Sequence, residues 1–133
     1  MKDLTVLVID DFALARHYAR QALTELGINN ILEAKSGKEG LDMLTHYQQK
    51  GKSVQLIISD LNMPDMSGLE LLQALRSDKK HFENIPFVLM TVEGDETVIA
   101  QAMKLGALDY FVKPSSIPII AKKLAQILKN LGK

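Results

Sequence analysis

Five short β-branched or apolar runs, at Thr5 to Ile9, Ile31 to Glu33, Gln55 to Ser59, Phe87 to Met90 and Tyr110 to Val112, alternate with longer stretches of helical spacing. No other feature constrains the fold so much. Each run is short enough to be a buried strand, and strands joined by helical crossovers run parallel. The clearest helix is the last, where Ile117, Ile120, Ala121, Leu124, Leu128 and Leu131 step by three or four residues and mark one apolar face. Leu69, Leu72 and Leu75 behave alike, as do Ala19, Leu23 and Leu26. Helix ends agree: Ser36 to Glu39 and Ser67 to Glu70 read as capping boxes, and Gly27 and Gly106 stand where helices should stop. The pattern predicts five strands alternating with five helices in an α/β sandwich around a parallel sheet.

At 133 residues the chain fits one domain with a single well-packed core. We see neither a linker nor a repeat, so the expectation is one domain over 1–133 with no output domain attached. Lys plus Arg and Asp plus Glu both number 16, so no basic excess argues for nucleic acid or a membrane surface. Cysteine is absent, which excludes disulfides, thiol catalysis and cysteine-based zinc sites. The run from Leu4 to Ile9 is too short for a signal sequence or a membrane span.

In open parallel sheets, ligand chemistry lies beyond the carboxyl ends of the strands. Asp10 and Asp11 follow the first run, Asp60 the third, Thr91 the fourth, and Lys113 with Pro114 the fifth. Three carboxylates a few ångströms apart require a cation, and all-oxygen ligation suits Mg²⁺. A lysine adds partial compensation and can hold a phosphoryl oxygen. Any one strand-end aspartate is well explained as a turn or helix cap; five such residues at matched positions are not.

The segments Val8 to Asp11, Ile58 to Leu72, Leu89 to Glu93 and Gly106 to Pro114 resemble the receiver domains of two-component response regulators, and among these the CheY-like kind. The likeness runs from about Leu4 to Lys133, and the long block around Asp60 carries most of its specificity. It implies a doubly wound, flavodoxin-like three-layer sandwich with a five-stranded parallel sheet in the order 2-1-3-4-5. It also implies that Asp60 accepts a phosphoryl group, and that Asp11 and Asp60 ligate Mg²⁺ with the main-chain carbonyl of Asn62. Asp10 would act mostly through metal-bound water. Thr91 and Lys113 would donate to phosphoryl oxygens, and Tyr110 would be the aromatic that turns inward as Thr91 moves. In-line phosphoryl transfer needs little beyond positioning and charge neutralisation, which this residue set can supply.

The same resemblance implies a non-enzymatic signalling protein of the cytoplasm, expected to be monomeric. Its phosphodonor would be a histidine kinase, its target a downstream protein such as a flagellar motor switch protein, with a phosphatase as a further partner. Asn62, Val92 and Glu93 flank the site. Asn62 and Glu93 match the CheY-like pattern and imply a short-lived acyl phosphate, whereas Val92 is bulkier than the family's frequent alanine and narrows access to Asp60. Pro114 is followed by Ser115 rather than the family's common Phe, so the start of the last helix is expected to differ. A cis bond before Pro114 is a family expectation.

Other readings carry less. A phosphorelay intermediate passing phosphate onward is compatible with the same residues. A haloacid-type aspartyl-phosphate phosphatase has a second aspartate two residues after the nucleophile, where Asn62 stands here. A flavodoxin-like electron carrier is opposed by Asp10 and Asp11, because a flavin phosphate needs hydroxyls and amides in that loop. Gly51 to Ser53 lacks the earlier glycine of a P-loop, and His17, His46 and His81 lack zinc-ligand spacing.

Overall fold

The computed structural model describes residues 3–92, 96–113 and 116–132. Glu93, Pro114 and Ser115 lie outside the described residues. The order of elements is β1 Thr5–Ile9, α1 Ala13–Glu25, β2 Asn30–Ala34, α2 Gly37–Gln49, β3 Leu56–Asp60, α3 Gly68–Ser77, β4 Phe87–Thr91, α4 Glu96–Lys104, β5 Asp109–Val112 and α5 Ile117–Asn130. The strands form one parallel sheet in the order β2-β1-β3-β4-β5, as expected.

Alternation along the strands divides the core between two layers. Val6, Val8, Leu56, Ile58, Val88 and Met90 face α1 and α5, where they meet Ala19, Leu23, Leu124 and Leu128. Leu7, Ile9, Ile57, Phe87 and Leu89 face the opposite layer and meet Leu71, Leu72, Leu75 and Ala102. Central strands buried on both faces explain why β1, β3 and β4 read as nearly continuous apolar runs. Each fully buried Leu, Ile or Phe contributes roughly 1.5–3 kcal/mol of transfer free energy, so these layers dominate the stabilisation.

Helix ends hold most of the expected devices. Ser67 and Glu70 form a complete capping box. Ser36 accepts from Glu39 N, but Glu39 reaches back to Lys35 N rather than to Ser36, so that box is displaced by one residue. Gly27 and Gly106 adopt φ of +85° and +88°, the left-handed turn that stops α1 and α4. α5 starts with Ser116 accepting from Ile119 N and with Pro118 in its first turn. Both residues favour a helix start. Among the described residues, no helix is long and apolar enough to cross a membrane.

Candidate functional site

The parallel sheet delivers the ends of β1, β3, β4 and β5 to one edge of the molecule, and the singled-out residues meet there. Asp10, Asp11 and Asp60 each offer a carboxylate oxygen, and these oxygens lie within 4.8 Å of one another. Asp10 and Asp60 are buried, whereas Asp11 is exposed. Lys113 extends into the group from the end of β5, with Nζ 2.8 Å from Asp10 Oδ2 and 3.5 Å from Asp60 Oδ1. Thr91 is fully buried at the end of β4, and the Lys113 backbone N–H donates to its carbonyl at 2.6 Å.

The main chain at Asp10 and after Asp60 is held from behind. Asp10 Oδ1 accepts from Phe12 N at 3.0 Å, its N–H donates to the Ala34 carbonyl at 3.1 Å, and its carbonyl accepts from Arg16 Nη1 at 2.7 Å. Asp60 ends β3, and the following loop folds back so that Gly68 N donates to Leu61 O at 2.8 Å. A Cβ on Gly68 would overlap the Asp60 carbonyl oxygen, so this close approach requires glycine. Asp65, later in the same loop, accepts from Lys38 N at 3.3 Å and ties the loop to the start of α2.

Asp60 Oδ1 is buried without a hydrogen-bond partner; the Lys113 contact is an ion pair too long to be one. Burial pushes the Asp60 carboxyl above the ordinary range, and the neighbouring Asp10 charge adds to this. Lys113 and the Asn62 backbone N–H act in the opposite direction without cancelling it. An orphaned carboxylate oxygen beside two further carboxylates is a donor set that a hard divalent cation fits.

Residues 6–125 match the family model described as the response regulator receiver domain. The chain belongs to this family. It is 38% identical over 125 residues to a protein named chemotaxis protein CheY homolog from Campylobacter jejuni, covering 94% of this chain and 92% of the relative. The chemotaxis response regulator CheY4 of Vibrio cholerae is similar in structure, with a TM-score of 0.78 and 27% identity over 93% of this chain and 98% of that one. A response regulator receiver protein from Pseudomonas putida gives a TM-score of 0.80 at 27% identity, covering 98% of each chain.

The remaining site-flanking residues of this receiver domain take graded positions. Val92 is 53% exposed directly after Thr91, and Asn62 is exposed in the loop after Asp60. Tyr110 is 37% exposed on β5, opposite Leu89. His17, His46 and His81 are all exposed, and the acidic cluster at the strand ends contains no histidine. Met63 and Met66 pack against the layer that holds Leu71, Leu72 and Leu75, and Phe82 is buried in that layer.

Two contributors escaped the sequence reading. Arg16 stands on the same helical stripe as Ala19 and Leu23, and a charge on an apolar stripe was the available signal. In the sequence Gly68 looks like the first residue inside a capping box, which conceals its contact with Asp60.

Proposed function

We propose that this receiver domain is a phosphorylation-controlled signalling module that takes a phosphoryl group on Asp60 from a histidine kinase and answers through protein binding, in a chemotaxis pathway. The orphaned, buried Oδ1 of Asp60 beside Lys113 carries the reading. That oxygen has a free lone pair, a cation near enough to stabilise a bound phosphoryl oxygen, and surroundings that exclude most water. In the transfer, the carboxylate forms the new P–O bond as the donor's P–N bond breaks, and the released imidazole takes up a proton. Lys113 neutralises charge on the moving group, and the Thr91 hydroxyl donates to a phosphoryl oxygen.

Asp11 and Asp60, with the Asn62 carbonyl, are the residues that would hold Mg²⁺, and Asp10 would hold its water. When bound, the ion supplies charge neutralisation that lets an anionic donor approach three carboxylates. The similarity to a protein named for chemotaxis supports that pathway, and the target we propose in it is a flagellar motor switch protein. An apolar cavity of about 270 Å³ beside Lys113, lined by Phe12, Tyr18, Met90 and Phe111, offers a protein donor a contact at the site itself. Met103, Leu108, Tyr110, Val112 and Ile119 are exposed on α4, β5, α5 and their connections, and form the output surface.

Acetyl phosphate supplied with Mg²⁺ should add one phosphoryl group by mass spectrometry, and omission of Mg²⁺ or Asp60→Asn should abolish the addition. Full labelling of Asp60→Asn would refute the assignment.

A further inference from the structure

We infer that Arg16 is a positioning residue of the acidic site, holding the Asp10–Asp11 peptide in the orientation that a divalent cation needs. This rests on the reading of that site as the Mg²⁺ centre.

Arg16 lies in the first turns of α1 with its side chain 11% exposed. Nη1 donates to the Asp10 carbonyl at 2.7 Å, while Nε donates to Glu33 Oε1 on β2 at 3.1 Å. The other Glu33 oxygen accepts from Arg20 Nε at 2.7 Å, and Arg20 Nη2 donates to the Ile31 carbonyl at 3.1 Å. The guanidinium is therefore anchored on β2 while it bonds the residue that follows β1. The carbonyl it grips belongs to the peptide joining the buried Asp10 to the exposed Asp11. Fixing that plane fixes the direction in which the Asp11 side chain leaves the backbone.

Packing alone does not explain a charge at this position. An apolar side chain would continue the Ala19 and Leu23 stripe without the desolvation cost of a buried guanidinium. A cation placed behind an acidic cluster also has an electrostatic effect of its own, because its field opposes the entry of Mg²⁺. Glu33 lies between the two arginines and offsets part of that field. Positioning and field thus predict opposite signs when the charge is removed. Lysine keeps the charge but cannot bond the Asp10 carbonyl and Glu33 through one rigid fork.

The test is Mg²⁺ titration followed by backbone amide shifts in NMR, on the wild type, Asp11→Asn, Arg16→Lys and Arg16→Gln. Positioning groups around metal ligands are typically worth roughly 10- to 100-fold in affinity, and both Arg16 variants should lose about that much. Their folded amide spectra should otherwise be retained, which separates the effect from a loss of stability. Affinity equal to or tighter than wild type in Arg16→Gln would overturn the inference. If that variant does not fold, Arg16→Lys decides alone, and unchanged affinity there overturns it equally. Failure of the underlying reading looks different: the wild type would not bind Mg²⁺, or Asp11→Asn would bind it as well as the wild type.

Discussion

The Lys113 ammonium is bonded to Asp10, at 2.8 Å, and only approaches Asp60, at 3.5 Å. Asp60 is thereby left the less compensated of the two buried carboxylates. Its pKa is raised by burial first and by Asp10 second. The native state then binds this proton more tightly than the unfolded state, so stability falls as pH rises above the ordinary value of 3.8 and through the raised native value. At neutral pH the penalty is fully present; below 3.8 it vanishes, because both states are protonated. Asp60→Asn should therefore stabilise the fold near neutral pH by about 1–3 kcal/mol, the scale of an unsatisfied buried group. Urea unfolding near neutrality and below the carboxylate range checks this. A gain of equal size in both conditions, or a loss near neutrality, would contradict it.

Gly68 makes a second demand on the same residue. A methyl group there would collide with the Asp60 carbonyl oxygen and stand 3.1 Å from Leu61 Cα, and both are backbone atoms that cannot rotate away. Gly68→Ala must push α3 and the end of β3 apart. Overpacking of this kind costs roughly 1–3 kcal/mol, and a displacement near 1 Å can cost on the order of 100-fold in a positioned reaction. Acetyl phosphate loading of Gly68→Ala should drop far more than its melting temperature suggests. Loading at the wild-type rate would mean that the close approach does not position Asp60.

What was legible in the sequence, and what was not, divides along a physical line. β1 runs over Thr5–Ile9 as its apolar pattern predicts, and β3 starts one residue late and extends to Asp60, because local hydrophobic spacing does not mark where ladder bonds end. The strand-end residues Asp10, Asp11, Asp60, Thr91 and Lys113 could be foreseen, because parallel topology brings strand ends together. Arg76 could not. Its guanidinium gathers the carbonyls of Glu83, Ile85, Leu105 and Gly106, up to 30 residues away, and leaves no periodic trace. Arg16 leaves one trace, a charge on the apolar stripe of Ala19 and Leu23, but its reach back to the Asp10 carbonyl leaves none.

Val92 offers a kinetic test at the mouth of the site. It follows the buried Thr91 at the end of β4 and is 53% exposed, so its side chain stands in solvent rather than in the core. Val92→Ala should leave stability nearly unchanged and relieve the approach of a small phosphodonor. Lowering the barrier by ~1 kcal/mol would quicken loading by acetyl phosphate about fivefold. Spontaneous hydrolysis should quicken as well, because water takes the same route. Stopped-flow loading and phosphate release would measure both, and an unchanged loading rate would show that Val92 is no obstruction.

Output requires that a distant surface distinguish the two states of Asp60, since a modification shifts an equilibrium only by its differential contacts with the two conformations. Thr91 pairs with Val112, and Leu89 with Tyr110. Parallel register places these four side chains on one face of β4 and β5, with Thr91 fully buried and Tyr110 37% exposed. A movement of Thr91 towards a phosphoryl oxygen would open space on that face, and Tyr110 is near enough along β5 to fill it. Phosphorylation should therefore alter the surface of α4, β5 and α5, with Lys123 Nζ, 3.1 Å from Asp109 Oδ2, reporting from α5. Coupling of ~1–3 kcal/mol would change target affinity roughly 5- to 150-fold. Amide shifts with beryllofluoride and Mg²⁺ should extend from Asp11, Asp60 and Lys113 through Tyr110 into α4 and α5, and Tyr110→Ala should remove the distant part only. Shifts confined to the loops around Asp11, Asp60 and Lys113 would place the output elsewhere.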